Sequence, residues 1–440
     1  MAEIIDREMT TVDDVYEQLL KRKDGAVKQS IPNYYIVLNK DPLLKEKICR
    51  NEMTDRNDIC GKLPWKRTAG ESINDDDVDN LCMYMESNYG LMNDKKMLKA
   101  INVVATENGY HPIKDYLEKL VWDGKNRIGE FLPKYVGADK CEYTYEATKL
   151  LLMALISRIY SPGIKFDTMI CLVGGQGIGK STLFRLLAIK DEWFSDDVRR
   201  LDDDNVFRKL YGHWIIEMSE MIATVNAKSI EEIKSFLSRQ KETYKTPYDK
   251  FPKDRPRQCV FVGTTNNMDC LPMDRTGNRR FVPILTHAER IEKHILEDEK
   301  ESREYIDQLW AEAMQVYRSG DYSLKFSSDM EDYLKELQKN FMPEDTDVGL
   351  ILAWLEETDE PYVCSRMIFK EALGKDGEPK RYETNEINRI MKTSIKGWKY
   401  SDNKTHRFKN YGIQKYWYRD DGSNDEDGFV ACGQIELPFK

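Results

Sequence analysis

The sequence predicts an α/β fold, and three apolar runs with polar ends are the observations that predict it. The first run, at residues 169–173, stops at a glycine-rich stretch and is followed by an amphipathic run at 183–187. The other two runs are residues 214–220 (WIIEMSE) and 259–267 (CVFVGTTNN). Short apolar runs bounded by polar residues are typical of buried strands, and a longer amphipathic pattern is typical of a helix. The order strand, glycine loop, helix is therefore the centre of the predicted domain.

The glycine-rich stretch has the spacing G-x-x-x-x-G-K-[ST], which is typical of a phosphate-binding loop. Its residues are Gly174, Gly175, Gln176, Gly177, Ile178, Gly179, Lys180, Ser181 and Thr182. Glycines let consecutive backbone N–H groups face phosphate oxygens, and the following helix adds the positive end of its dipole. Lys180 is placed to reach the β- and γ-phosphates of ATP, and the Ser181 hydroxyl to bind Mg²⁺. We therefore predict a nucleotide site; the alternative is a glycine-rich turn that binds nothing.

Two acidic residues on the second predicted strand compete for one role in this site. A phosphate-loop NTPase needs a carboxylate on a neighbouring strand, to hold Mg²⁺ through water and to orient the attacking water. Glu220 lies at the end of the run and Glu217 lies within it. Ligands of an α/β sheet bind where the strands finish, which favours Glu220 as the metal-binding acid. Glu217 is the second choice, and a solvated edge position is the alternative for it.

Polar residues at the end of the third run, and beyond it, complete the predicted catalytic set. Asn266 is placed to hydrogen-bond the γ-phosphate or the attacking water, and a turn-forming asparagine is the alternative. Arg279 and Arg280 follow a Gly-Asn turn and precede the apolar residues 281–284. One of the two arginines is a candidate arginine finger, which supplies charge to the transition state of a neighbouring subunit. Salt bridging within the fold is the alternative for the other.

Residues 239–257 form a basic segment that is interleaved with aromatic residues and prolines. The candidate DNA-binding residues are Lys241, Lys245, Tyr248, Lys250 and Lys253, and Arg239, Arg255 and Arg257 add to the positive charge. Cations suit phosphates and rings suit bases or sugars, so we predict a hairpin that contacts a nucleic acid strand. An ordinary solvated loop is the alternative that composition alone favours. The position of the segment within the predicted core, just before a strand, reverses that preference.

Changes of pattern along the chain divide it into three predicted domains. Residues 1–110 carry no recognisable chemistry, and the aspartates at 75–77 are expected to start a helix rather than bind a metal. Residues 111–345 contain the glycine loop after a helical lead-in that includes an apolar helix at 143–160. Residues 346–440 read as helices followed by two aromatic-rich strands, the element order of a winged-helix module. A structural cap or a protein contact is the alternative for this last domain.

Composition excludes several classes of protein. No apolar run approaches the roughly 18 residues of a membrane span, and the N-terminus has no signal-peptide pattern. The nine cysteines are scattered without a C-x-x-C, which argues against a disulfide framework and a zinc site. We therefore expect a cytoplasmic protein that has no membrane partner. Because the net charge is −10, any contact with nucleic acid must use a local basic surface.

Five sequence blocks together resemble the virulence-associated protein E family of phage and mobile-element ATPases. They are the glycine loop, W-I-I-E-M-S-E at 214–220, K-T-P-Y at 245–248, F-V-G-T-T-N at 261–266 and T-G-N-R-R-F at 276–281. The likeness runs from about residue 111 to residue 317, and its specific part is the block at 264–281. That family is similar to superfamily 3 replicative helicases.

The resemblance implies an AAA+-like P-loop ATPase core that forms a hexameric ring and moves on single-stranded or forked DNA. The implied roles are ATP and Mg²⁺ binding for Lys180 and Ser181, the acidic role for Glu220 or Glu217, the sensor for Asn266, the finger for Arg279 or Arg280, and a pore hairpin around residues 245–253. The chain departs from the family by reading Ser219-Glu220 where two adjacent acids are expected. Its N-terminal region also carries no primase signature.

The sequence therefore predicts an ATP-dependent DNA helicase or translocase that serves replication of a phage, prophage or mobile element in a bacterial host. The alternative is an ATP-switched DNA-binding initiator or regulator, whose C-terminal domain reads sequence without processive unwinding. A metabolite kinase would share the glycine loop, but it would have no use for a basic hairpin or an arginine block placed for subunit contact.

Overall fold

The computed structural model describes residues 11–67, 70–198, 206–219, 227–245, 251–271, 278–342 and 346–420. These residues fall into two compact units, one that ends at residue 342 and one that begins at residue 346. Across these ranges we find no helix with the length and apolar character that a membrane span requires.

The N-terminal part of the first unit is a set of helices packed on a short antiparallel hairpin. Its elements are α1 (Val12–Glu17), α2 (Ile31–Lys40), β1 (Ile48–Asn51), β2 (Arg56–Ile59), α3 (Asp75–Tyr89) and α4 (Asp94–Glu107). The Asn74 side chain accepts a hydrogen bond from the Asp77 N–H, at 2.9 Å, and caps α3. The helix start expected for the aspartates is thus confirmed. Asp77 is buried and accepts hydrogen bonds from Arg67 and Trp65.

The rest of the first unit is built around a parallel sheet. Its elements are α5 (Pro112–Lys119), α6 (Phe131–Val136), α7 (Glu142–Tyr160), β3 (Met169–Val173), α8 (Lys180–Leu187), β4 (Phe194–Ser195), α9 (Val206–Leu210), β5 (Ile215–Ser219), α10 (Ala227–Leu237), β6 (Lys241–Tyr244), β7 (Lys253–Pro256), β8 (Val260–Thr265), β9 (Phe281–Leu285), α11 (Glu299–Ser319) and α12 (Ser328–Lys339). Within the described residues the sheet has the order β4, β5, β8, β3, β9, and every neighbouring pair is parallel. The predicted α/β class is confirmed.

The third strand of the chain is buried along its whole length, because β8 and β9 pair with its two edges and both faces of the sheet are covered. Its alternate residues enter two apolar clusters, since consecutive side chains of a strand point to opposite faces. Ile170 and Leu172 join a cluster with residues of α7, α8 and α11. Met169, Cys171 and Val173 join a cluster with residues of α10. Packing on both faces therefore fixes the point where β3 ends and the glycine loop begins.

The second unit combines helices with an antiparallel sheet. Its elements are α13 (Thr346–Glu357), β10 (Tyr362–Val363), α14 (Ser365–Met367, followed by a π-helical turn over Ile368–Ala372), α15 (Arg381–Thr393), β11 (Trp398–Phe408) and β12 (Gly412–Arg419). The strand order is β10, β12, β11, and both pairs are antiparallel. Ile351, Ile387 and Trp417 lie in its apolar core. The predicted order of helices followed by two aromatic-rich strands is confirmed, and its assignment to the winged-helix class stays a prediction.

Candidate functional site

The loop over residues 174–179 connects the carboxyl end of β3 to the first residue of α8. Gly179 has φ of 89°, in the left-handed region where residues other than glycine are strained. At Gly174 a Cβ atom would lie 2.3 Å from Thr286 Oγ1 and 2.6 Å from the Thr286 carbonyl oxygen. Glycine is therefore required at both ends of the loop, once for backbone conformation and once for close packing against the residue that follows β9.

The Lys180 side chain lies inside this loop. Its Nζ donates hydrogen bonds to the carbonyl oxygens of Gly174 and Gly175, at 2.7 and 2.6 Å. It also donates to Oδ1 of Asn266, at 3.0 Å, from the residue that directly follows β8. The ammonium group is thus held at the carboxyl edge of the sheet, at the start of a helix, where positive charge and the helix dipole together favour an anion.

A buried carboxylate on β5 faces the start of α8. The Ser181 hydroxyl donates to Oε1 of Glu217 at 2.6 Å, and the Thr264 hydroxyl of β8 also donates to that oxygen. Glu217 is 1% exposed, and its second oxygen, Oε2, has no hydrogen-bond partner among the described residues. Burial raises the pKa of Glu217 above its ordinary value of 4.5, while the hydrogen bonds from Ser181 and Thr264 act to lower it.

The structure describes Glu217 but not Glu220, the other acidic candidate. Glu217 is brought into contact with the glycine-loop helix through Ser181. Glu220, which the sequence analysis favours, lies outside the described residues. Thr264 and Thr286 were missed by sequence reasoning. The sequence signal for Thr264 was its place two residues before Asn266, near the end of a predicted strand. In the structure that strand pairs with β3, and Thr264 lies level with Leu172.

These groups form a coherent donor set for a phosphorylated ligand with a hard divalent cation. A cation, a hydroxyl, an amide and a carboxylate meet at one sheet edge, and oxygen ligands are those that Mg²⁺ prefers. Glu217 and Ser181 are the residues that would hold such a cation. Glu217 would use Oε2, which has no hydrogen-bond partner among the described residues, and Ser181 would use its hydroxyl. Across the described ranges, no group of three or more His, Cys, Asp or Glu side chains fits a metal ion. The aspartates at 75–77 form no such group.

The two arginine candidates lie at the opposite, amino edge of the sheet. Arg280 directly precedes β9, and its carbonyl accepts from the N–H of Met169 at the start of β3. Its side chain is 20% exposed, with Nε 3.1 Å from Oδ2 of Asp167 and 3.2 Å from Oγ of Ser238. Arg279 is 71% exposed, and among the described residues it lies 3.9 Å from a carboxylate oxygen of Asp167. The structure therefore separates an internal arginine from a surface arginine.

The predicted basic hairpin is present as β6 and β7, which pair antiparallel from Lys241 opposite Pro256 to Tyr244 opposite Lys253. Lys241 forms an ion pair with Asp254, and Lys253 forms one with Asp55 at 3.3 Å. Lys245 follows β6 and is exposed. Tyr248 and Lys250 lie outside the described residues.

Two of the cations counted in the sequence analysis as available charge are buried, which is a correction. Arg257 forms an ion pair with Glu242 and lies over the rings of Phe236 and Phe261, each 5.1 Å from the guanidinium carbon. Arg255 is 6% exposed on its side chain and stacks on Tyr244 at 4.4 Å. Both are neutralised within the fold, so the exposed charge of the hairpin rests on lysines. Counting charge along a segment cannot separate buried cations from exposed ones.

Comparisons with known proteins point to one family. The family described as virulence-associated protein E-like domain matches residues 117–343, just over half of the chain. No curated protein matches the chain. Among solved structures, an A-form apo structure of the NrS-1 C-terminal region (residues 305–718) is 15% identical, with 89% of this chain and 100% of that chain covered and a TM-score of 0.47. A second apo structure of that region is 15% identical over 84% of this chain and 95% of that chain, with a TM-score of 0.44.

Replacing Glu217 with glutamine tests the buried carboxylate. Because its pKa is raised in the folded state, the fold binds the proton more tightly than the unfolded chain does, and stability is lost as pH rises from 4.5 through the raised pKa. Glu217→Gln removes this term, so the free energy of unfolding of the variant relative to wild type should be higher at about pH 7.5 than at about pH 5. Urea unfolding at both pH values measures it.

Glu46→Gln controls for the loss of one negative charge, since the Glu46 side chain is 76% exposed. A Glu217→Gln difference that is the same at both pH values would contradict a buried, proton-binding carboxylate at this position.

Proposed function

This chain belongs to the virulence-associated protein E-like domain family, and on that premise we propose that it is an ATP-dependent DNA helicase or translocase. The activity would serve replication of a phage, prophage or mobile element, and the core would be an AAA+-like P-loop ATPase. The observation that carries the proposal is the meeting of Lys180, Ser181, Glu217 and Asn266 at the carboxyl edge of a parallel sheet. That edge is where ligands bind in α/β folds.

Lys180 would exchange its loop carbonyl partners for the β- and γ-phosphate oxygens of ATP. Its present partners, the carbonyl oxygens of Gly174 and Gly175, hold the ammonium group within the loop that would wrap the phosphates. The N–H groups of residues 174–179 and the start of α8 would add further positive potential. Charge placed in advance at this position stabilises the transition state more than the ground state, because negative charge shifts toward the leaving oxygen during cleavage.

Ser181 and Glu217 would hold Mg²⁺, which when bound neutralises phosphate charge and positions the β- and γ-phosphates. The Ser181 hydroxyl donates to Glu217, so the two proposed ligands lie in contact. Thr264 donates to the same carboxylate from β8 and fixes its orientation. Asn266 would then hydrogen-bond the γ-phosphate or the attacking water. Glu220 remains the candidate for orienting that water.

The finger would act between subunits, and Arg279 is the better candidate for it. Arg279 and the glycine loop lie at opposite edges of one sheet, so Arg279 cannot reach the nucleotide of its own chain. It is largely exposed, whereas Arg280 is engaged with Asp167 and Ser238. A ring, of the hexameric kind the family resemblance implies, would bring Arg279 to the loop of the next copy. Arg280 would then support the segment that presents it.

The hairpin of β6 and β7 would contact the DNA strand through lysines. The hairpin directly precedes β8 and so lies at the amino edge of the sheet, as Arg279 does. ATP would bind at the opposite, carboxyl edge. Lys241, Lys245 and Lys253 supply the exposed charge within the described residues, and Tyr248 and Lys250 stay candidates from the sequence. An ion pair with a phosphate would replace the exposed pair of Lys241 with Asp254, which is of the weak, solvent-screened kind.

The second unit favours a second candidate function, an ATP-switched DNA-binding initiator or regulator without processive unwinding. Its order of α13, α14, α15 and the β11–β12 hairpin is that of a winged-helix module, in which a helix enters the major groove. Such a protein would bind duplex DNA tightly and turn ATP over slowly. Strand displacement separates the two candidates.

Lys180→Ala tests the ATPase and motor function together. We expect wild-type hydrolysis of ATP that rises with single-stranded DNA, and displacement of a strand from a forked duplex. Because the ammonium group is lost from the loop, the variant should lose both activities, with turnover reduced by at least about a hundredfold. Lys190→Ala is the matched control. Lys190 is exposed, lies shortly after the end of α8 and pairs with Glu192.

Two outcomes would redirect the proposal. ATP-dependent DNA binding without strand displacement in the wild type would favour the switch. Hydrolysis that survives in Lys180→Ala would contradict a catalytic role for this loop.

Arg279→Ala tests the finger between subunits. The variant should bind ATP normally and hydrolyse it about a thousandfold more slowly, because finger charge acts on the transition state. Mixing it with Lys180→Ala should restore part of the turnover, since an intact finger of one copy then faces the intact loop of another. Inactive mixtures, or normal turnover in Arg279→Ala alone, would contradict action between subunits. Arg280→Ala is the matched control and should lower stability, because it removes the ion pair of Arg280 with Asp167.

A further inference from the structure

The turn between β1 and β2, residues 52–55, packs on the core of the first unit through Met53. Oδ1 of Asn51 accepts hydrogen bonds from the backbone N–H of Met53 at 3.0 Å and of Thr54 at 3.2 Å, which closes the turn. The Met53 side chain is buried in the same apolar cluster as Ile170 and Leu172 of the central strand. Met53 therefore anchors the turn to the packed core.

The same turn contacts the base of the hairpin. The Asp55 carboxylate lies 3.3 Å from Nζ of Lys253 and 3.6 Å from Nη2 of Arg255, both on β7, and it also pairs with Arg50 of β1. One residue beyond Arg257, Nε2 of Gln258 donates to the carbonyl of Glu52 at 3.2 Å. These contacts join an N-terminal turn to residues about 200 positions later in the chain.

Through Arg255 the contact reaches both strands of the hairpin. Arg255 lies on β7, stacks on the ring of Tyr244 at the end of β6, and donates to the Tyr244 carbonyl at 2.9 Å. A guanidinium with so little exposure needs a carboxylate nearby, since an uncompensated buried charge is strongly unfavourable. Asp55 supplies a carboxylate from outside the hairpin.

We propose that the β1–β2 turn braces the hairpin and that Asp55 is its positioning residue, an inference that rests on the DNA-binding function proposed for the hairpin. The hairpin pairs over four residues per strand and, within the described residues, its strands join no larger sheet. A hairpin of that size is marginally stable by itself, so its direction depends on contacts at its base. The N-terminal region would thereby set the position of the DNA-contacting lysines.

Hydrogen exchange on the full chain tests the brace directly. The variant is Asp55→Asn, because asparagine tolerates the φ of 51° at this position as aspartate does and only the charge is removed. Amides of β6 and β7 should exchange about tenfold faster than in wild type, since the base of the hairpin opens locally. Glu46→Gln is the matched control: Glu46 also has positive φ, at 60°, and its exposed carboxylate pairs with Lys45 instead of the hairpin. Asp55→Glu keeps the charge and should restore part of the protection, since glutamate is more strained than aspartate at this φ.

ATP hydrolysis distinguishes positioning from mere support. In Asp55→Asn the basal rate should be unchanged, while maximal stimulation at saturating single-stranded oligothymidine should fall several-fold, because a misdirected hairpin cannot couple the strand to the core. Wild-type exchange in Asp55→Asn would overturn the brace. Faster exchange with full stimulation would overturn the positioning role. A wild-type protein that shows no stimulation would refute the proposed DNA function, and the exchange result would still decide whether the brace exists.

Discussion

The placement of β3 between β8 and β9 is the constraint on which the rest of the first unit depends. A strand paired on both edges and covered on both faces must be apolar throughout, and residues 169–173 meet that demand. The position of Val173, where β3 ends and the glycine loop begins, is consequently fixed by packing. The same pairing puts Thr264 of β8 level with Leu172 and places Asn266, which directly follows β8, in contact with Lys180. Beyond β8, the pairing of β5 brings Glu217 to Ser181. One sheet register therefore assembles side chains from three segments that are distant in sequence.

The parallel sheet also separates two kinds of surface. All strands run the same way, so every strand end that faces the glycine loop is a carboxyl end, and the opposite edge collects the segments that enter strands. Arg279 and the hairpin belong to that second edge. Two ion pairs hold this edge together: Arg280 with Asp167, which is partly buried, and Arg257 with Glu242, which is buried. In the proposed mechanism, the nucleotide lies at one edge, while the hairpin and the residue offered to the next subunit lie at the other.

Local sequence was enough to predict the strand, the glycine loop, the helix and the position of Asn266, because each depends on spacing between near neighbours. It also predicted the hairpin, through its prolines and its place before an apolar run. The contact between Glu217 and Ser181 was beyond it, since that depends on the register of β5 against β8. The burial of Arg255 and Arg257 was equally hidden, because Asp55, Phe236 and Phe261, which help to cover them, come from other segments. Tertiary packing decided which charged residues face solvent.

The central claim is that the carboxyl edge of β3 binds ATP together with Mg²⁺. The most direct measurement is calorimetric titration of a non-hydrolysable ATP analogue into the protein, with Mg²⁺ and with a chelator, for wild type and for Ser181→Ala. The account predicts saturable binding of one nucleotide per chain that is tighter with Mg²⁺, and loss of that Mg²⁺ dependence in Ser181→Ala because a metal ligand is removed. Absence of saturable binding, or the same Mg²⁺ dependence in both proteins, would contradict the account.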